Sequence, residues 1–144
     1  MTEVAFHFNV PDKLLYSCRL LRKAWGSGAR VVVTAEPELL GRLDQLLWTF
    51  SALEFVPHCR LAAPAATIAA TPVLLARSLD NCPHHEVLVN LGPQVPAGFE
   101  RFERCIELVT PADDDRAAAR SRWKHYADRG YAMKRHDLAS AGAP

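Results

Sequence analysis

Segments typical of strands and of helices alternate along this chain, and that alternation limits the folds available to it. Residues 30–35 form a continuous run rich in valine, as expected of a central strand covered on both faces. Residues 86–91 predict another strand. Over residues 13–25 and 39–50, apolar side chains recur at three- and four-residue spacing, which is typical of amphipathic helices. Strands separated by helices require crossover connections, so the sequence predicts a three-layer α/β sandwich with a mostly parallel central sheet.

Weaker patterns complete the expected order of elements. Residues 4–10 alternate in the manner of a strand, and residues 67–73 are compatible with a short one. Residues 93–104 indicate a turn and a short helix. Residues 105–109 are expected to be the last strand of the sheet.

The C-terminal part predicts one more helix and a tail. Three aspartates near residue 113 suit the positive end of a helix dipole, and Gly130 suits its C-terminal end near residue 129. We expect residues 1–134 to form a single α/β domain and residues 135–144 to be a flexible tail.

Composition restricts the classes of function. The chain has 144 residues and a formal net charge of +1, which gives no long-range attraction toward nucleic acid. The longest mainly apolar stretch, residues 61–76, is interrupted by prolines and is too short to cross a membrane. The first residues lack the pattern of a secretory signal, so a cytoplasmic protein without membrane association is expected.

A parallel α/β sheet raises the question of nucleotide binding, and the sequence argues against it. No glycine follows the first predicted strand in residues 9–13, whereas a phosphate-binding loop needs glycines for close approach of the backbone. Gly26 and Gly28 lie between a helix and a strand, at the wrong end of the sheet. We therefore predict no nucleotide hydrolysis. The sequence also lacks a Gly-x-Ser-x-Gly nucleophile motif, and we expect no cofactor, no catalytic residues and no intrinsic enzymatic activity.

One segment carries side chains suited to zinc. Cys82, His84 and His85 could act as ligands, completed by Cys59 or His58. Their spacing matches no established zinc motif, and a polar loop before a strand is the simpler interpretation. A zinc-binding domain stays an alternative.

The predicted last helix carries a cationic ridge. Arg116, Arg120 and Lys124 are four residues apart and stack along one helical face, with Trp123 beside them. Such a ridge suits an acidic peptide or a single nucleic-acid strand. A solvated helix face, or direct binding of single-stranded nucleic acid, are the alternatives.

Three blocks of sequence resemble the chi subunit of the bacterial DNA polymerase III holoenzyme, and the similarity extends from the first strand to Tyr131. The blocks are residues 25–33, residues 42–48 followed by 55–58, and residues 120–126 followed by Gly130 and Tyr131. The resemblance implies a nucleotide-binding-like fold without a working phosphate loop. It also implies a non-catalytic adaptor in the clamp-loader complex.

The family binds the acidic, phenylalanine-terminated tail of the single-stranded-DNA-binding protein, and contacts single-stranded DNA only indirectly through it. By the resemblance, Arg120 and Lys124 would pair with tail carboxylates, and Arg116 would add positive potential. A pocket for the terminal phenylalanine would be lined by Trp48, Val109 and Trp123. The family usually has tyrosine where this chain has Trp123, which alters the shape of that pocket.

The family's second surface receives the psi subunit or a helicase. By the resemblance it would comprise Phe55, Val56, Pro57 and His58, on a connection expected to be exposed. An apolar side chain followed by proline is a plausible anchor for a partner helix.

Overall fold

The computed structural model describes residues 1–49 and 55–141, which contain seven strands and five α-helices. The strands are β1 (Glu3–Phe8), β2 (Val31–Thr34), β3 (His58–Arg60), β4 (Val73–Ala76), β5 (Val87–Asn90), β6 (Arg104–Leu108) and β7 (Ala132–Asp137). The helices are α1 (Lys13–Gly26), α2 (Pro37–Thr49), α3 (Ala65–Ala70), α4 (Asp113–Asp128) and α5 (Leu138–Ala141), with a 3-10 turn at Phe99–Arg101. Phe50, expected to continue α2, lies outside the described residues.

All seven strands belong to one sheet and run parallel, in the order β3-β4-β2-β5-β6-β1-β7. The valine-rich β2 lies near the centre, where Val31 is paired with Val73 on one side and with Val87 on the other. The predicted α/β sandwich with a parallel sheet is therefore confirmed. The short 3-10 turn and the last long helix also lie where the sequence predicted them.

Alternation along the central strands builds two hydrophobic cores, one on each face of the sheet. Val31 and Val33 belong to the core beneath α1 and α2, whereas Val32 belongs to the core on the other face. The second core includes Ala119 and Tyr126 of α4. Because both faces are covered by helices, the interior strands read as continuous apolar runs rather than as alternating ones.

Two predicted elements are wrong. Residues 67–73 do not form a strand: α3 occupies Ala65–Ala70, and β4 begins only at Val73. Five of the six residues from 65 to 70 are alanine or isoleucine, and alanine has the highest helix propensity. Pro72 cannot continue that helix.

Residues 105–109 contain β6, but β6 is not the last strand. Strand β7 pairs with β1 along Glu3–Phe8 and forms an edge of the sheet. The expected domain boundary at residue 134 falls within β7, so residues 135–137 belong to the sheet and not to a tail. Most side chains of β7 are exposed and several are charged, as is common on edge strands, and this removes the apolar alternation that would mark it.

Among the described residues, no helix is both long enough and apolar enough to cross a membrane.

Candidate functional site

A buried polar network fixes helix α4 to the sheet. Arg122 Nε donates to Oε1 of Glu107 on β6 at 2.9 Å, and the Tyr126 hydroxyl donates to Oε2 at 2.6 Å. Asn90 Nδ2, from β5, lies 3.0 and 3.1 Å from the two carboxylate oxygens. All four side chains are buried. The network therefore determines which face of α4 points inward.

The charges in this network compensate each other. Burial raises the pKa of Glu107, and Arg122, Tyr126 and Asn90 oppose that rise. Arg122 Nη1 donates to the carbonyl of Pro93 at 3.1 Å, while its Nη2 has no hydrogen-bond partner among the described residues. Arg122 is thus a structural residue, although it lies within the basic segment of the sequence.

The outward face of α4 carries the predicted ridge. Since Ala119, Arg122 and Tyr126 point inward at three- and four-residue spacing, the side chains of Arg116, Arg120 and Lys124 are left exposed. Asp115 at the start of α4 accepts hydrogen bonds from the backbone nitrogen and hydroxyl of Thr110, at 2.8 and 2.9 Å. This contact and the aspartates of the first turn stabilise the helix N-terminus.

A cavity of about 370 Å³ lies between α4 and the carboxyl ends of β1 and β7, and we call it the α4–β7 pocket. Its lining residues are Phe8, Asn9, Arg116, Ala119, Arg120, Trp123, Arg135 and Asp137. Three of these side chains are guanidinium groups and two are aromatic, so the pocket combines positive charge with an apolar wall.

The aromatic wall of the pocket packs against the hydrophobic core. The half-buried Trp123 ring meets Phe6 edge-on, with centroids 5.1 Å apart, and lies 6.2 Å from Phe8. The guanidinium of Arg135 lies 4.7 Å from the centroid of Phe8. Strand β7 therefore supplies a cation on the side of the pocket opposite α4.

A hydrogen-bonded pair closes the end of the pocket where β1 and β7 terminate. Asn9 Nδ2 donates to Asp137 Oδ1 at 2.7 Å, and the same oxygen accepts from the backbone nitrogen of Ala139 at 2.9 Å. Asn9 has a φ of 60°, in the left-handed region that asparagine tolerates better than most residues. The one carboxylate in the lining is thus held by neighbouring donors.

The structure brings together only some of the residues predicted for tail binding. Arg116, Arg120 and Trp123 line the α4–β7 pocket, and Lys124 continues the same ridge just outside the lining. Val109 is fully buried in the core shared with Ala119, so it supports the pocket from beneath.

The structure does not place Trp48 in this pocket. Its ring packs beside Phe55 and His58, next to edge strand β3, while α4 packs beside the other edge strand, β7. Six strand spacings of ~4.8 Å separate these edges, about 29 Å in all. A single pocket cannot be lined by both Trp48 and Arg120, and that part of the prediction is wrong.

Five lining residues were missed by sequence reasoning: Phe8, Asn9, Ala119, Arg135 and Asp137. The sequence contained a signal for Phe8, because it continues the alternation of Val4 and Phe6 on one face of β1. Arg135 and Asp137 carried none, since the strand that positions them has no apolar periodicity.

A second candidate surface consists of Trp48, Phe55 and His58, and we call it the Trp48–Phe55 surface. Trp48 is 64% exposed and Phe55 is 42% exposed, although both are large apolar side chains. Their ring centroids are 4.8 Å apart, and His58 lies 5.4 Å from Trp48. Exposed aromatic side chains in contact with each other are typical of protein–protein interfaces.

The neighbouring residues form the base of that surface. Val56 is buried and Pro57 is half-buried, so the segment predicted as an exposed connection is exposed only in part. His58 opens β3, and its ring lies between two acceptors, the Val56 carbonyl at 2.7 Å and Asp44 Oδ1 at 2.8 Å. These contacts fix the imidazole against which Trp48 packs.

The zinc alternative finds no support in the part of the chain that the structure describes. There, no three His, Cys, Asp or Glu side chains are grouped so that they could hold a metal ion. His84 Nε2 is hydrogen-bonded to the carbonyl of Thr71 at 2.6 Å, and Cys82 lies 3.8 Å from that of Ser78. The side chains of this loop therefore serve local structure.

Comparison with known proteins identifies the family to which the chain belongs. Residues 1–134 match the family model "DNA polymerase III chi subunit, HolC". The chain is 33% identical to the DNA polymerase III subunit chi of Pseudomonas aeruginosa, over 96% of this chain and 98% of that protein. It is 27% identical to the subunit chi of Haemophilus influenzae (85% of each chain), and 28% identical to that of Escherichia coli (79% of this chain, 78% of that protein). The chain belongs to the DNA polymerase III chi subunit family.

Proposed function

We propose that this protein is a non-catalytic adaptor of the replicative polymerase, and that its α4–β7 pocket binds the acidic C-terminal tail of the single-stranded-DNA-binding protein. The supporting observation is the convergence of Arg116, Arg120 and Arg135 around a cavity with an aromatic wall. An acidic peptide that ends in phenylalanine offers both complementary groups, carboxylates and a phenyl ring.

In this proposal the terminal phenyl ring packs against Trp123 and Phe8. The peptide carboxylates pair with Arg120 and Arg135, on opposite sides of the cavity. Arg116 adds positive potential, and Lys124 meets acidic residues farther from the peptide end. Since these cations are largely exposed, salt should screen the pairs and weaken binding strongly.

The Trp48–Phe55 surface is the site that we propose for a second partner, the psi subunit or a helicase. Large aromatic side chains at the centre of an interface often contribute most of its binding energy. Because this surface lies at the other edge of the sheet, both partners can bind at once. The chain would then connect single-stranded-DNA-binding protein to the clamp loader, as expected of a cytoplasmic replication complex.

Fluorescence anisotropy tests the tail-binding proposal. The ligand is a labelled peptide of the last ten or so residues of the host single-stranded-DNA-binding protein, titrated at low and at high salt. We expect micromolar binding that weakens with salt and falls about tenfold or more with Arg120→Ala. Arg42→Ala, an exposed arginine on α2, is the matched control and should bind as the wild type does.

A labelled oligo-dT tests the rival function of direct single-stranded nucleic-acid binding. If oligo-dT binds and the peptide does not, the pocket is a nucleic-acid site and the proposal is wrong. If the peptide binds equally well to wild type and Arg120→Ala, the α4–β7 pocket is not its site.

A further inference from the structure

A second cationic cavity lies on the face of the sheet opposite α4, between α1 and strands β1, β6 and β7. It has a volume of about 320 Å³, and we call it the His7 cavity. Its polar lining comprises His7, Lys23, Ser27, Arg104 and His136. Leu20, Ala24, Val87 and Ile106 belong to its apolar lining. Neither of the surfaces described above shares a residue with it.

The lining contains two permanent cations and no carboxylate. Lys23 projects from the last turn of α1, Arg104 begins β6, and the imidazoles of His7 and His136 are 4.9 Å apart, edge to face. Glu3, on the same face of β1 but outside the lining, pairs with Lys134 at 2.8 Å and offsets part of the charge of Arg104. Lys23 and Arg104 therefore place two cationic groups beside the apolar lining of the cavity, which we call its apolar floor.

The pKa of His7 reflects both its burial and the nearby positive charges. Burial is the main cause that lowers its pKa, to about 4, and the nearby charges of His136, Arg104 and Lys23 lower it further. Its Nδ1 is hydrogen-bonded to the Tyr16 hydroxyl at 2.5 Å, which fixes the orientation of the ring, and within residues 1–49 and 55–141 its Nε2 has no hydrogen bond. An anion in the cavity would relieve the repulsion among these groups.

We propose that the His7 cavity binds the phosphate group of a small phosphate monoester. Its donors come from four different elements, α1, β1, β6 and β7, and so line the cavity on more than one side. A tetrahedral phosphate accepts hydrogen bonds from several directions, whereas one arginine can satisfy a planar carboxylate by itself. The apolar lining leaves room for the organic part of the ester, and the volume is at the lower end of the range for small-molecule sites.

This proposal differs from the nucleotide site that the sequence argues against. A phosphate loop would lie at the carboxyl ends of the strands, whereas the cavity extends to the amino ends, where Val87 and Arg104 begin β5 and β6. His7 and His136 lie nearer the carboxyl ends of β1 and β7. Side chains, and not backbone nitrogens of a glycine-rich loop, would hold the anion here. Glycine content therefore has no bearing on this site.

Histidine-ring NMR on the full chain tests the proposal, with inorganic phosphate, dAMP and acetate each titrated at constant ionic strength. We expect phosphate to shift the ring signals of His7 and His136 saturably and to raise the pKa of His7, because an anion favours the imidazolium form. We expect dAMP to bind more tightly than inorganic phosphate, because its base can contact the apolar floor.

Arg104→Gln should weaken phosphate binding about tenfold, and Lys23→Gln, at the exposed end of α1, should weaken it in the same direction. Arg101→Gln, an exposed arginine outside the cavity, should change nothing. Circular dichroism confirms the fold of each variant, and Lys23→Gln decides the test if Arg104→Gln does not fold.

The proposal is wrong if neither phosphate nor dAMP shifts the ring signals of the two histidines at millimolar concentration, or if the folded variants bind as the wild type does. Acetate binding as tightly as phosphate would overturn the assignment to a tetrahedral anion.

Discussion

Arg122 Nε donates a 2.9 Å hydrogen bond to Oε1 of Glu107, and both side chains are almost completely shielded from water. This ion pair joins the middle of α4 to the carboxyl-terminal part of β6. Together with the Tyr126–Glu107 hydrogen bond, it positions the exposed cations of α4 above the β1–β7 edge.

Loss of this pair should destabilise the fold. We expect Arg122→Ala to lower the free energy of unfolding by about 3–5 kcal/mol, because it leaves the Glu107 carboxylate buried without its cation. Urea unfolding measures the change. Arg120→Ala, an exposed arginine on the same helix, should stay within about 0.5 kcal/mol of wild type. Equal effects of the two substitutions would show that the buried pair contributes little.

Arg135→Ala should weaken tail-peptide binding about 3–10-fold, since it removes the cation that faces α4 across the pocket. It should also reduce the dependence of affinity on salt. The control is Lys134→Ala, the adjacent cation, which points to the other side of β7 and pairs with Glu3. If Lys134→Ala weakens binding as much as Arg135→Ala, general charge and not the pocket determines affinity.

Trp48→Ala should separate the two proposed partners. Because Trp48 lies at the β3 edge, we expect unchanged tail-peptide affinity and loss of binding to the psi subunit or helicase. Arg120→Ala should have the opposite pattern. Anisotropy with the tail peptide and co-elution with the second partner measure the two effects. Weaker peptide binding by Trp48→Ala would contradict the separation of the surfaces.

Acid should destabilise the protein through His7. The folded pKa of His7 is about 4, below its ordinary value of 6.5, so between these values the unfolded chain binds a proton that the folded chain does not. Stability is therefore fully present above pH 6.5 and falls as the pH decreases toward 4. Since His7 is partly exposed, the loss should be smaller than ~1.4 kcal/mol for each unit of pKa difference.

Urea unfolding between pH 7 and 4.5 measures this dependence, and His7→Gln isolates it from carboxyl groups that titrate near the lower end. We expect a shallower decline for the variant. Equal slopes for wild type and variant would rule out His7 as the cause.

The sequence by itself determined the interior of the fold. Residues 31–33 and 87–89 are apolar on both faces of the sheet, because these strands are buried on both sides. Helices α1 and α2 have clear helical periodicity, because each is buried on one side only. The ridge of Arg116, Arg120 and Lys124 was readable for the same reason, since positions four residues apart share one helical face.

Only the tertiary structure decided what that ridge faces. Strand β7 is an exposed edge strand with no apolar alternation, so its contribution of Arg135 to the pocket depends on pairing with β1, a contact more than a hundred residues away in sequence. The same holds for Trp48, whose place depends on strand order. Local patterns record which residues are buried, whereas strand order and the partners of exposed side chains depend on long-range packing that leaves no local periodicity.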